Sequence, residues 1–209
     1  MLNWLKRKYP RWFIPKGLLS YNDLCVLADL GVIHAGISTE SGEPVKRRIS
    51  DDNINGTSID VTLDKYICVE NLTGGMDKVD LIKGENIKLT EPFELDYRGY
   101  MMPNTVLLAS TFETFEMPNW LSTEYSLKSS LGRNFLGHEL AGWIDAGFKG
   151  KITLELKNNT QFHKLILTEG MKIGQVKFFK HSPVPVDKSY AKRGQYNGQD
   201  KVQPSKGIK

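Results

Sequence analysis

Lys128, Ser129, Ser130 and Arg133 fall within the six residues "KSSLGR", followed by Asp145 in "GWIDAGFKG" and Glu155 in "KITLELKN". Two hydroxyls, two cations and the backbone N–H groups of Leu131 and Gly132 in one turn are groups that suit phosphate oxygens. The same six residues also read as a surface turn with capping serines. Asp145 sits where an Asx-type turn places an aspartate. Around Glu155 the alternation sets Ile152, Leu154 and Leu156 on one face of a strand, with Thr153 and Glu155 on the other. A glutamate so placed is either a proton carrier facing a ligand or an ordinary solvent-facing residue. No single motif decides between these readings.

Other chemistries lack their residues. Zinc hydrolases and zinc deaminases need closely spaced His, Glu and Cys ligands. His34, His138, His163 and His181 are scattered, there is no C-x-x-C, and "HEL" at 138–140 lacks the second histidine of H-E-x-x-H. Neither a Walker phosphate loop nor a G-x-G-x-x-G turn is present. No serine or cysteine occupies a recognisable nucleophile elbow.

The elements that must position these side chains are mostly strands. "SIDVTLDKYICVE", "DLIKGENIKLTE", "TVLLASTFETFEM", "KITLELKN", "HKLILTEGM" and "GQVKFFK" are short runs of strand-like residues punctuated by turn residues, the pattern of an all-β sandwich or barrel. "SYNDLCVLADLGVI" is the best helical pattern, with Ser20 or Asn22 as cap and Gly31 as terminator. Residues 16–182 form the expected domain. Residues 1–15, basic and aromatic, read as a surface-binding arm, an extra helix or strand packed on the domain, or a disordered lead-in. Residues 183–209 are polar and read either as a disordered tail or as a lid that orders over a ligand.

At 209 residues the chain is long enough to bury a core without staples. Cys25 and Cys68 match no metal spacing and read as free thiols in a reducing, cytoplasmic setting. No run is long enough to span a membrane and no signal peptide is expected. The formal net charge of +4 suits an anionic ligand and falls short of a nucleic-acid-binding signature.

Taken in order, "NGTSIDVTLD", "MMPNTVLLASTFETFEMPNWL", "SSLGR", "AGWID", "GFKGKITLELKN", "EGMKIGQVKFF" and "YNGQDKVQPS" resemble the dCTP deaminase family of the trimeric dUTPase superfamily. "PKGLLSYNDLCVLADLGVI" is similar to that family's N-terminal helix, and the likeness runs from about residue 16 to 206. It implies a mainly β, dUTPase-like distorted jelly-roll or barrel with one N-terminal helix.

The resemblance implies hydrolytic deamination of dCTP to dUTP and ammonia, with Glu155 as general base on the water attacking cytosine C4 and no zinc. One carboxyl can take the water's proton and return protons to N3 and the leaving amine. Ser129, Arg133 and the backbone at Ala141 would hold the water and the intermediate. Asp145 would meet the deoxyribose 3′-hydroxyl, and Asp60 is the aspartate of the early strand. Lys128, Ser130, Leu131 and Gly132 would bind the triphosphate, with Mg²⁺ carried on its oxygens. Thr153 and Leu154 would flank the base, while Gln175, Tyr190, Gln195 and Gln199 complete the substrate-binding set. The family also implies a homotrimer with shared sites and dTTP as an inhibitor. This chain departs from the pattern at Lys128, where arginine is usual, at Leu140 in place of threonine, and at Gln195 in place of lysine before Tyr196. "IDAGFKGKITLE" is closest to bifunctional members, which carry the product on to dUMP and pyrophosphate. A dUTPase-like pyrophosphatase and a non-catalytic nucleotide-binding relative are the remaining alternatives.

Overall fold

Period-two sequence becomes antiparallel strand here wherever one face has a core to meet. The structure, a computed structural model, describes residues 2–39, 42–71, 78–83, 85–95, 99–139 and 142–207. In chain order its main strands are β1 (Gly17–Leu18), β2 (Ile33–His34), β3 (Ile59–Thr62), β4 (Tyr66–Val69), β5 (Phe93–Glu94), β6 (Val106–Ser110), β7 (Thr114–Glu116), β8 (Leu121–Leu127), β9 (Leu136–His138), β10 (Trp143–Ile144), β11 (Lys149–Gly150), β12 (Thr153–Asn158) and β13 (Lys172–Lys180). One sheet runs β1–β13–β8–β10, with β3 also paired to β13. A second runs β9–β12–β6–β4–β5, and a third β11–β7–β2. The mainly β, dUTPase-like architecture is the one the resemblance implies.

A single apolar cluster joins the sheets. Phe178 of β13, Phe115 of β7 and Leu154 of β12 are all fully buried within it, and the Phe115 and Phe178 rings stack with centroids 6.5 Å apart. Along β12 burial alternates residue by residue, with Leu154, Leu156 and Asn158 inside. That alternation is the hydrophobic effect acting on a pleat whose side chains point to opposite faces in turn.

Two expected strands come out differently. "SIDVTLDKYICVE" breaks into β3 and β4, because Asp64 between them turns inward to Lys151 at 2.6 Å. Burying that carboxylate needs such partners, and Asp64 also accepts from Ser110 Oγ at 3.3 Å and from the Lys65 N–H at 2.9 Å. "DLIKGENIKLTE" contains a turn, in which the Asp80 side chain accepts from the N–H groups of Ile82 and Lys83. Local side-chain acceptors outcompete a ladder where no apolar face is buried.

The helical pattern forms α3 (Tyr21–Asp29), with Ser20 in the capping position but without a side-chain cap bond, and Leu24, Val26 and Leu27 buried. Gly31, at φ +65°, takes the chain out of it. Residues 1–15 supply α1 (Leu2–Lys8) and α2 (Pro10–Phe13), packed on the domain through Lys6–Asp23 and Arg7–Asp29 ion pairs, both 2.5 Å. A short helix α4 (Ser129–Gly132) follows β8. Among the described residues no helix is long and apolar enough to cross a membrane. Cys68 is buried and Cys25 partly so, both as free thiols.

The polar C-terminal segment is folded back on the domain. It carries α5 (Tyr190–Arg193), packs Tyr190 edge-on against Phe148 at 5.6 Å, and buries Gln199 and Val202. Gln199 pairs with Gly150 in a parallel bridge. Gly150 has φ +131°, and a Cβ there would lie 2.5 Å from the Gln199 carbonyl oxygen. Gly150→Ala is therefore expected to release the tail, at a cost of about 1–3 kcal/mol in backbone strain and clash. Limited trypsin digestion should cut that variant at Arg193 and Lys201 several-fold faster than the parent.

Candidate functional site

Glu155 occupies the middle of β12, paired to β6 opposite Leu108 and flanked on its other edge by β9, where His138 pairs Leu156. With Leu154 and Leu156 held in the core, the Glu155 side chain is turned to the other face, 30% exposed. It lines a cavity of about 420 Å³ together with Thr153, Asp145, Trp143, Tyr190 and Gln199. Its Oε2 atom is nonetheless buried and has no hydrogen-bond partner. His138, with its side chain only 4% exposed, brings Nε2 to 3.3 Å from that oxygen. The pair is not angled for a hydrogen bond, so Nε2 is unsatisfied too. Beneath the imidazole, Tyr125 makes an edge contact at 4.8 Å. Burial, and then the Glu155 charge, push its phenol far above the ordinary range.

The tail closes the other side. Gln199 donates from Nε2 to the Lys151 carbonyl and to Thr153 Oγ1 at 3.4 Å; the Gln203 N–H reaches the same hydroxyl at 3.4 Å. Gln199 Oε1 and Gln203 Oε1 are buried without partners. Buried polar atoms are almost always hydrogen-bonded. Three unpartnered oxygens belong to residues that line one cavity, so its wall carries unused hydrogen-bonding capacity. At the rim, Trp143 Nε1 donates to Asp145 Oδ1 at 3.0 Å. Tyr190 accepts at its hydroxyl from the Tyr196 N–H at 3.4 Å, and burial raises its phenol.

The six-residue turn lies elsewhere on the chain. Ser129, Ser130, Gly132 and Arg133 are exposed on and just after α4, and none of them lines the cavity that holds Glu155. Arg133 has no ion-pair partner among the described residues. Leu131 packs against the core. Lys128 does not stand free: its ammonium lies 2.7 Å from the buried Asp60, which Lys172 approaches at 3.1 Å and Asn55 at 3.0 Å. Burial pushes the Asp60 carboxyl up, but the two lysines outweigh it and hold it below the usual range.

Of the other expected residues, Thr153, Asp145, Tyr190 and Gln199 share the Glu155 cavity. Leu154 does not, because its side chain is fully buried in the core; the pleat that exposes Glu155 turns its neighbour inward. Gln175 is also off the cavity, on β13, accepting from Ser58 at 3.3 Å. Gln195 donates to the Gly207 carbonyl within the tail, at 3.4 Å. Leu140 and Ala141 lie outside the described residues. His138, Trp143 and Gln203 were missed by sequence reasoning. Trp143 carried a signal, since "WID" sets it two residues from Asp145 and so on the same side of an extended chain. His138 and Gln203 carried none, because only strand pairing and tail docking bring them to Glu155.

Residues 33–181 match the family model described as dCTP deaminase-like. The "dCTP deaminase, dUMP-forming" of Acidothermus cellulolyticus is 39% identical over 163 residues, covering 73% of this chain and 81% of that one. The protein of the same name from Methanocaldococcus jannaschii is 40% identical over 142 residues, 66% of this chain and 63% of its own length. That from Aquifex aeolicus is 34% identical, with 80% and 88% covered. Among solved structures, 2′-deoxycytidine 5′-triphosphate deaminase from Agrobacterium tumefaciens shares the fold, with a TM-score of 0.58 at 17% identity. The match covers 79% of this chain but spans only about half of that one, 48%.

The Asp60 cluster predicts an acid response. A carboxyl held below its unfolded value stabilises the fold above the unfolded value and loses that contribution as pH falls through the folded one. Lys128→Met lifts the folded value toward the unfolded one. It should therefore move the acid-unfolding midpoint to higher pH and lower stability at neutral pH by about 1–3 kcal/mol, with Lys172 still in place. Circular dichroism across an acid titration reads both effects.

Proposed function

Because the chain belongs to the dCTP deaminase-like family, we propose that it converts dCTP to dUMP, with release of ammonia and pyrophosphate. The observation that carries this reading is Glu155, which lines a cavity closed by the tail and has one carboxyl oxygen buried without a hydrogen-bond partner. Sequence reasoning put dUTP first as the end product. The relatives named dUMP-forming support the alternative that continues to dUMP.

In the deamination step Glu155 takes a proton from a water, whose oxygen forms a bond to cytosine C4. The carboxyl passes that proton to N3, then takes the proton of the new C4 hydroxyl and passes it to the exocyclic nitrogen, so that C4–N4 breaks, the C4 carbonyl forms and ammonia leaves. The products, dUTP and ammonia, balance dCTP plus water. His138, 3.3 Å from Oε2, is positioned to steer the carboxyl as its proton comes and goes. Asp145, on the same cavity, meets the sugar 3′-hydroxyl. In the second step a further water attacks phosphorus and the bond to pyrophosphate breaks, leaving dUMP. Mg²⁺ would arrive with the triphosphate and would offset part of its negative charge. Among the described residues no group of three or more His, Cys, Asp and Glu could hold a metal by itself.

Ser129 and Arg133 serve the cavity of a neighbouring copy in a homotrimer. Their exposure on α4, away from their own chain's Glu155, supports this arrangement. An arginine suits the task because it stays protonated beside a working carboxylate. Lys128 has a weaker claim on the triphosphate than its place in the motif implies, since Asp60 already neutralises it.

Three experiments test the reading. Incubation with dCTP and Mg²⁺, followed by chromatography, should yield dUMP, pyrophosphate and ammonia. Accumulation of dUTP alone would return the end product to deamination only, and consumption of neither dCTP nor dUTP would end the catalytic reading. Glu155→Gln should lose deamination by at least about a thousandfold while still binding nucleotide. Co-expressing Glu155→Gln with Arg133→Ala chains, each inactive alone, should restore about a quarter of parental activity if each site joins two copies of a closed ring. An inactive mixture would place both residues in one chain's site.

A further inference from the structure

Residues Arg11, Trp12, Lys16, Lys180 and His181 meet in a second hollow of about 420 Å³, on the side of the domain covered by the N-terminal helices. It lies outside the dUMP-forming cavity, whose lining shares none of these residues. No aspartate or glutamate lines it. We infer that this hollow is a second anion site, built by residues 11–16 against the end of β13, for a ligand bearing a phosphate group.

The chemistry follows from what each cation lacks. Lys180 is a lysine at the end of a central strand, only 8% exposed. Its acceptor is the backbone carbonyl of Ile14, and no carboxylate forms an ion pair with it among the described residues. Burial and the neighbouring Lys16 charge push its ammonium below the usual lysine range. Asp23 pulls the other way, yet that carboxylate is held by Lys6 at 2.5 Å. A buried ammonium facing other cations is unfavourable until an anion joins them. Lys16 reaches only a hydroxyl, Ser182 Oγ at 2.9 Å. Arg11 rests on the Trp12 ring, 5.6 Å from its centroid, which leaves its guanidinium free to meet an oxyanion.

The rest of the lining fits such a ligand. His181 is a wall and not a donor: Nδ1 lies 2.8 Å from the Ser182 carbonyl and Nε2 lies 3.1 Å from Ser122 Oγ, so both nitrogens are taken. Trp12 stands 77% exposed beside the cations, offering a flat apolar face next to the charge. Arginine and two lysines with no competing carboxylate are the donor set that phosphate oxygens select. The phosphate belongs either to a soluble ester or to a lipid headgroup.

The test uses the full chain, with indole fluorescence as readout because Trp12 borders the hollow. Inorganic phosphate, glycerol 3-phosphate and phosphatidylglycerol vesicles are titrated separately into the parent, Glu155→Gln and the double variant Arg11→Ala/Lys16→Ala. The exposed positions of Arg11 and Lys16 keep the double variant folded, and its dCTP turnover should stay within twofold of the parent. Saturable binding that survives Glu155→Gln but weakens at least tenfold in the double variant is the expected result. Phosphate or glycerol 3-phosphate giving that pattern identifies a soluble ligand; vesicles alone giving it identify a headgroup. Failure of all three probes to bind, or a double variant that binds within twofold of the parent, overturns the proposal.

Discussion

The register of β12 is the constraint on which everything else hangs. Its two leucines lie in the core and its glutamate lies between them. A strand has a side-chain period of two, so a slip of one residue would bury Glu155 and expose both leucines. The antiparallel pairing with β6 on one edge and β9 on the other forbids that slip. The energy that orients the carboxylate thus comes from apolar burial on the opposite face, and the carboxylate itself need contribute nothing to stability. Its Oε2 is left buried and without a hydrogen bond, a cost that the burial of the two leucines offsets.

Charge is handled in two ways in the domain. Asp60 and Asp64, both buried, are each met by lysine, so the strands between them tolerate carboxylates in the interior. The exposed turn at α4 instead keeps Arg133 without an ion-pair partner. One cluster holds elements together; the other leaves a cation available. "KSSLGR" contains both roles five residues apart, since Lys128 turns in toward Asp60 while Arg133 turns out.

The tail shows how a polar segment becomes structure. By composition residues 183–209 have too little apolar surface to fold alone. What holds them is a handful of contacts with the domain: Tyr190 on Phe148, Val202 in the interior, and the Gln199 backbone against a glycine that permits the approach. The same contacts set Gln199 and Gln203 over Thr153. The contacts that hold the tail are thus also the ones that close the cavity.

Much of this was legible beforehand. Alternation alone exposed Glu155 and buried Leu154, helix signals placed α3, and the ordered motifs carried the family. Short-range patterns suffice there because pleat, cap and turn are set by residues a few positions apart. The break at Asp64, the engagement of Lys128 by Asp60, the arrival of His138 beside Glu155 and the separation of Arg133 from that carboxylate were not legible. Each depends on residues between 17 and 87 positions apart that approach only when sheets pair and pack. Sequence by itself determined which residue types this protein has for the reaction and which face of its strand the carboxylate takes. Tertiary structure decided which of them share a cavity, because long-range strand pairing, and not motif spacing, sets the distance between side chains.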